Sequence, residues 1–222
     1  MTGYNNKTNS TKRRKKIPRK VSAASIENAA LYYLGRYATS SENLRQVLER
    51  RIMRAAKHHD TNIDACSQLV GDLIKRYLEN GILNDETYAQ TQAASMNRRG
   101  KSLCAIRLCL RQKALQIDII DKAVKLLAKE IGSPDLAAAI TYARKRRLGP
   151  YRRKTSTPVI LDKELAALAR SGFSYPIALR VVEARNVDEL ENELWGQKIF
   201  MYLAAQELLQ TGVNTHECYY FS

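Results

Sequence analysis

From Ser22 onward, apolar residues recur three and four positions apart in short blocks, and a glycine, a proline or a Ser, Thr, Asp or Asn cap bounds nearly every block. An α-helix turns once in about 3.6 residues, so this spacing lines one helix face with apolar side chains. A strand would need strict alternation, and no stretch offers it. Leu, Ala, Arg, Lys and Glu are abundant while β-branched residues are scattered, which also favours helix. The chain is predicted to be all-α.

The blocks fall into three sets of three. The first set opens with Ile26, Ala29, Ala30, Tyr33, Leu34 and Tyr37 on one face. Thr39 and Glu42 read as a capping box for a second helix bearing Leu44, Val47, Leu48 and Ile52. Thr61 and Asp64 mark a third, whose stripe runs from Ile63 through Cys66, Val70, Leu73 and Tyr77 to Leu78, with Gly81 as its stop. In the second set Asn84 and Asp85 cap a helix to Arg98, Gly100 breaks it, and Ser102 caps a helix with Leu103, Ile106 and Leu110 facing the core. Asp118 and Asp121 open the next. Gly132-Ser133-Pro134 is a stop followed by a start. The third set repeats the scheme, with a longer loop from Leu148 to about Pro158, then Gly172 and Ser174-Tyr175-Pro176. A last helix is expected from about Asp188 to Gln210.

Leu31, Tyr88 and Tyr142 hold comparable places in the three first helices, 57 and 54 residues apart. Lys113–Val124 overlays Ser171–Val182 without gaps. Each unit reads as helix, basic turn, helix, short turn, helix. The expected organisation is a basic disordered tail over 1–21 and three helix-turn-helix-like repeats over 22–83, 84–132 and 133–186. A C-terminal helix and tail over 187–222 follow. Stacked units of this kind make an elongated, curved array. With 222 residues, 45% of them hydrophobic, the chain can bury a row of small cores.

Charge gives the clearest functional lead. The net charge is +15, and it is clustered. The first twenty residues hold eight Lys and Arg and no acid, whereas acids dominate after Arg185. No acid separates Asn97 from Lys113, or Arg144 from Lys154. Like charges this dense oppose folding unless an anionic partner relieves them, so a polyanion such as nucleic acid or an acidic protein patch is the expected partner. The candidate binding residues are Arg36, Arg45 and Arg51 in the first repeat and Arg98, Arg99, Lys101, Arg107 and Arg111 in the second. The third contributes Arg144, Arg146, Arg147, Arg152 and Arg153. Arginine suits bidentate pairing with phosphate or carboxylate. Of the twelve tyrosines, Tyr33, Tyr37, Tyr77 and Tyr88 read as core; for Tyr151, in the loop beside Arg152 and Arg153, packing between repeats is favoured over exposure and base stacking.

Enzyme chemistry is poorly supported, and neither a cofactor nor a catalytic residue is expected. Gly100-Lys101-Ser102 imitates the end of a phosphate-binding loop, but position 95 is Ser and no strand precedes it. There is no Gly-x-Ser-x-Gly. His58, His59 and Cys66 fit no metal spacing and lack a fourth ligand. Cys66, Cys104, Cys109 and Cys218 read as reduced thiols, the first three buried, in a cytoplasmic protein. Neither a secretory leader nor a membrane span is expected. Two readings stay open on these grounds: a regulator docked on a nucleoprotein, and a direct DNA-binding protein of helix-turn-helix type.

Three segments carry a resemblance. ALYYLGRYATSSENLRQVLERR (30–51) resembles the first repeat of RecX proteins. YLENGILNDETYAQTQAASMNRRGKSLCAIRLCLRQKAL (77–115) resembles their most recognisable stretch, with Gly-x-Leu-x-Asp, Tyr-Ala, Arg-Arg-Gly-Lys and Ile-Arg in order. ARKRRLGPYR (143–152) and KELAALARSGFSYPIALRVVEA (163–184) are similar to the third repeat. The likeness spans roughly residues 25 to 185. It departs at Asn84-Asp85, where two acids are usual, and at Ala114, where glycine is usual. An alanine at a helix end that wants positive φ costs about 1 kcal/mol. The resemblance implies three tandem repeats that bind along the groove of the RecA–DNA filament as a monomer. It further implies inhibition of filament growth and of RecA's activities in recombination, DNA repair and the SOS response, with weak, non-specific contact to single- or double-stranded DNA.

Overall fold

The structure is a computed structural model that describes residues 18, 20–153, 157–192, 194 and 196. Among these residues there is no strand, and the fold is all-α. The helices are α1 (Ala23–Leu34), α2 (Ser41–Ala56), α3 (Ile63–Glu79), α4 (Asp85–Arg98), α5 (Leu103–Gln112), α6 (Ile117–Ile131), α7 (Pro134–Arg146), α8 (Pro158–Arg170) and α9 (Tyr175–Glu183), with a 3-10 turn at Gly149–Tyr151. Residues 187–192 are also helical; most of the expected C-terminal helix and of the basic N-terminal tail lies outside the described residues. Helices of 9 to 17 residues are marginal alone in water, so burial of their apolar faces must hold them.

The chain divides into two compact units, the first made of residues up to Tyr37 together with Leu44–Asn80, and the second of Ala38–Asn43 together with Gly81 onward. In the first unit Ile26 and Ala30 of α1, Leu44, Leu48 and Ile52 of α2, and Val70, Leu73 and Ile74 of α3 are buried. An exposed ion pair, Arg76–Glu27 at 2.6 Å, links α3 to α1. Several stripe residues lie at the edge instead of inside: Tyr37, Ile63 and Leu78 are exposed, as are Leu31 and Leu69. Tyr37 falls beyond the end of α1, so its ring is not held on the helix face that spacing assigned it.

The second unit holds two cores. Ala89, Ala93, Ile106, Leu110, Leu115, Ile120, Ala123, Val124 and Leu127 fill the one enclosed by α4, α5 and α6. Leu136, Ala139, Ile140, Ala143, Leu168, Phe173, Ala178, Val181 and Val182 fill the other, from α7, α8 and α9. Burying one such Leu or Ile contributes roughly 1.5–3 kcal/mol.

The caps decide where helices begin. Asn84 Oδ1 accepts from Thr87 N at 2.9 Å and Ser102 Oγ from Ala105 N at 3.2 Å, as expected. The start of α2 differs: the oxygen that accepts from Asn43 N is Ser40 Oγ, at 3.3 Å, so Ser40 and not Thr39 is the cap. Likewise Asn62 Oδ1, at 3.0 Å from Ala65 N, caps α3 in place of Thr61.

Two polar joints in the second unit use one design. Ser40 Oγ donates to Lys113 O at 2.7 Å, while Ser41 N donates to Asp85 Oδ1 at 2.7 Å. Ser102 Oγ donates to Ser171 O at 2.7 Å, while Leu103 N donates to Asp135 Oδ1 at 2.7 Å. In each, a serine hydroxyl meets a carbonyl at a helix C-terminus and the next amide meets an Asp in the first turn of another helix.

Candidate polyanion interface

Local rules build the first basic turn. Helix α4 ends on Arg98, Arg99 is its C-cap, and Gly100 takes φ +86°. A Cβ at Gly100 would stand 3.0 Å from Tyr142 N and 3.2 Å from Ala138 O, so the turn lies against the α7 backbone and only glycine fits. Arg98, Arg99 and Lys101 therefore project outward, and all three are exposed. None is ion-paired among the described residues.

Helix α7 delivers the second cluster. Arg144, Lys145 and Arg146 occupy its last turn, where cations suit the negative end of the helix dipole. Arg147 then closes the helix at φ +59°, a left-handed conformation that costs a non-glycine residue roughly 1–2 kcal/mol. Lys145 Nζ donates to Arg99 O at 2.9 Å. That bond brings the end of α7 onto the α4–α5 turn, so two runs far apart in sequence form one basic surface. Arg144 is held by Glu191 at 2.6 Å and stacks over Tyr151 at 5.6 Å, and Arg146 lies 5.9 Å over the Tyr142 ring. Arg146, Arg147 and Arg153 are exposed.

Arg152 has a different place. Its Nη2 lies 3.0 Å from Glu164 Oε2 and donates to Val182 O at 2.9 Å. Glu164 is only 6% exposed, and its Oε2 also accepts from Gly149 N at 3.0 Å. This buried pair pins the Gly149–Arg153 turn to α8 and α9. Arg152 is thus built into the fold and has no free guanidinium face to offer a partner. Tyr151 is half-buried and packs against the α7–α9 core.

The remaining candidates lie on other elements. Arg107 and Arg111 share the outer face of α5, with Arg107 held 3.2 Å from Asp121. In the first unit Arg36 stacks 4.5 Å over Tyr32, Arg51 is exposed on α2, and Arg45 is half-buried and already engaged.

Sequence reasoning passed over two acids that shape the site. Glu164 sits between Leu161 and Leu168 at helical spacing, so a charge on an apolar stripe was its signal. Asp135 takes the Leu103 amide, and burial pushes its carboxyl above the ordinary range against the opposing pull of that N–H and of Arg107. The thiols also differ from expectation: Cys66 is buried, Cys109 half-buried and Cys104 exposed on α5.

The chain is 42% identical over 170 residues to regulatory protein RecX of Myxococcus xanthus, covering 76% of this chain and 90% of that protein. It belongs to the RecX family of regulatory proteins. The RecX protein of Agrobacterium fabrum is 34% identical over 170 residues, covering 75% and 86% of the two chains. No protein-family model matches the chain. Among solved structures, a crystal structure of regulatory protein RecX superposes with a TM-score of 0.55 at 22% identity, over 73% of this chain and 72% of that one. A RecX crystal structure from Lactobacillus salivarius gives 0.53 at 21% identity, over 78% and 96%. At that identity these neighbours attest the RecX fold. Among the described residues no helix is long and apolar enough to cross a membrane, and no three His, Cys, Asp or Glu side chains gather as a metal site would need.

Proposed function

We propose that this RecX-family chain modulates RecA by binding along the groove of the RecA–DNA filament, limiting filament growth and thereby RecA's activities. In this reading residues 22–83, 84–132 and 133–186 act as three repeats, each presenting a basic turn. The protein acts as a binder and carries out no chemistry of its own.

The observation that carries the reading is the meeting of Arg98, Arg99 and Lys101 with Arg146 and Arg147 through the Lys145–Arg99 contact. Exposed cations without paired acids repel one another, and an acidic protein groove or a phosphate backbone relieves that repulsion. A surface set by two helix ends is also rigid, so it selects geometry as well as charge.

Titrating the full chain into a RecA ATPase assay on single-stranded DNA tests this. Suppression at substoichiometric amounts is expected, with shortened filaments by electron microscopy. An unaltered ATPase rate and filament length would contradict it. A preferred duplex site in footprinting would instead support a sequence-specific DNA-binding protein.

A further inference from the structure

The segment after α9 folds back onto the end of α7. Asn186 Oδ1 accepts from Glu189 N at 2.8 Å and Glu189 Oε2 accepts from Arg185 N at 2.9 Å, so a reciprocal cap starts the helical turn over 187–192. Leu190, only 1% exposed, anchors that turn in the α7–α9 core. One position on, Glu191 Oε1 accepts from Arg144 Nη2 at 2.6 Å. Arg144 is the first cation of the run that ends α7, and among the described residues no acid pairs with Lys145, Arg146 or Arg147. Both members of the pair stay open to water, their side chains 60% and 42% exposed.

We propose that Glu191 is an autoinhibitory contact, an internal anion that occupies Arg144 and must be displaced before the whole basic surface can engage a polyanionic partner. The segment does not need this pair to stay in place, because Leu190 is buried and the turn is already capped. An exposed ion pair is weak, so it can be exchanged. A lone carboxylate loses Arg144 to a row of anions that reaches Arg146 and Arg147 as well. While it stays, Glu191 removes one cation from the surface and sets a negative charge beside the others, which opposes every incoming anion. A sparse anion does not offset that loss and a dense one does, so the contact raises the charge density that a partner must bring. A plain structural clasp would leave affinity unchanged, and an acid that positioned Arg144 for the partner would lower affinity when removed. This inference rests on the proposed role of the basic turns, and takes only the identity of the partner from the filament reading.

Two assays of the full chain test it: cosedimentation with RecA filaments on single-stranded DNA, and the salt needed for elution from immobilised heparin, a dense polyanion unrelated to RecA. Glu191→Gln keeps the size of the side chain and removes its charge. It is expected to tighten filament binding about threefold, the scale of one exposed ion pair, and to elute later from heparin. Glu183→Gln removes the same charge from an exposed position on α9 and should change filament binding by well under about twofold, since solvent screens it. With Arg144→Ala already present, Glu191→Gln should do no more than Glu183→Gln does. If Glu191→Gln loses helicity by circular dichroism, Glu191→Ala is read in its place. Equal effects of Glu191→Gln and Glu183→Gln where the unaltered chain binds, a loss of affinity on Glu191→Gln, or a gain that survives Arg144→Ala would overturn the proposal. An unaltered chain that fails to cosediment while the heparin pattern holds sinks the filament reading and leaves this one standing. Cosedimentation with no gain from Glu191→Gln does the reverse.

Discussion

The α4–α6 and α7–α9 bundles of the second unit solve one packing problem in two ways. The offset that overlays Lys113 on Ser171 also sets Leu110 on Leu168, both buried, and Ile106 on Glu164. Ile106 is fully buried and the α4–α5 turn is short, closed by Gly100 against α7. Glu164, at the matching position, is almost as deeply buried and serves the longer turn after α7 through Gly149 N and Arg152. A short turn needs only a glycine and an apolar core, while a long one must be tied down from inside. A buried carboxylate does that by giving an amide and a guanidinium a common partner.

The largest effect should come from cutting that tie. Arg152→Ala leaves Glu164 buried and unpaired, and removing one partner of a buried pair typically costs about 3–5 kcal/mol. Urea denaturation should show a loss of that order. The exposed Arg107–Asp121 pair is the counterpart, and Arg107→Ala should cost less than about 1 kcal/mol. Equal losses from the two would end the distinction between the bundles.

The short turns after α5 and α8 sharpen the comparison at smaller scale. Ala114 sits at φ +55° and Gly172 at φ +85° in matching places. Ala114→Gly should stabilise by about 0.5–1 kcal/mol, since relief of left-handed strain exceeds the added freedom of the unfolded chain. Gly172→Ala should destabilise by more, because its Cβ would lie 2.7 Å from Ser102 Oγ and disturb the bond to Ser171. Thermal unfolding of the two variants reads the sign directly. A fall on Ala114→Gly would mean that the alanine makes contacts worth more than the strain.

The smallest effect concerns the joints. Burial raises the Asp135 carboxyl, so the folded chain holds this proton more tightly than the unfolded one. Its contribution therefore favours folding below the ordinary carboxylate range and is lost as pH rises through the folded value. Asp135→Asn keeps an oxygen for the Leu103 amide and should flatten stability between the ordinary carboxylate range and neutral pH. An unchanged slope in denaturation from pH 4 to pH 7 would show that the carboxyl is not perturbed.

Much of this was legible in the residues because the deciding interactions are local. Asn84 and Ser102 cap amides three positions away, and the apolar spacing of α5 and α6 is settled within each helix. Thr39 and Ser40 are neighbours with the same chemistry, so only the backbone decides which one caps α2. What the residues hid was tertiary. Lys145 meets Arg99 across 46 positions, and Arg152 meets Val182 across 30, so their roles exist only once α7 and α9 have docked. The places of Tyr32 and Tyr151 are tertiary for the same reason. Tyr151 is drawn against the α7–α9 core by the pinned turn, while Tyr32 is left on the open face of α1.

We propose that the joined turns, and not net charge alone, engage the filament. Cosedimentation with RecA filaments on single-stranded DNA compares Arg99→Glu with Lys101→Glu against Lys125→Glu with Lys129→Glu, an equal change of charge on α6. The turn pair should weaken binding at least tenfold and shallow its salt dependence, with the α6 pair close to the unaltered chain. Equal loss from both pairs, or none from the turn pair, would contradict the account.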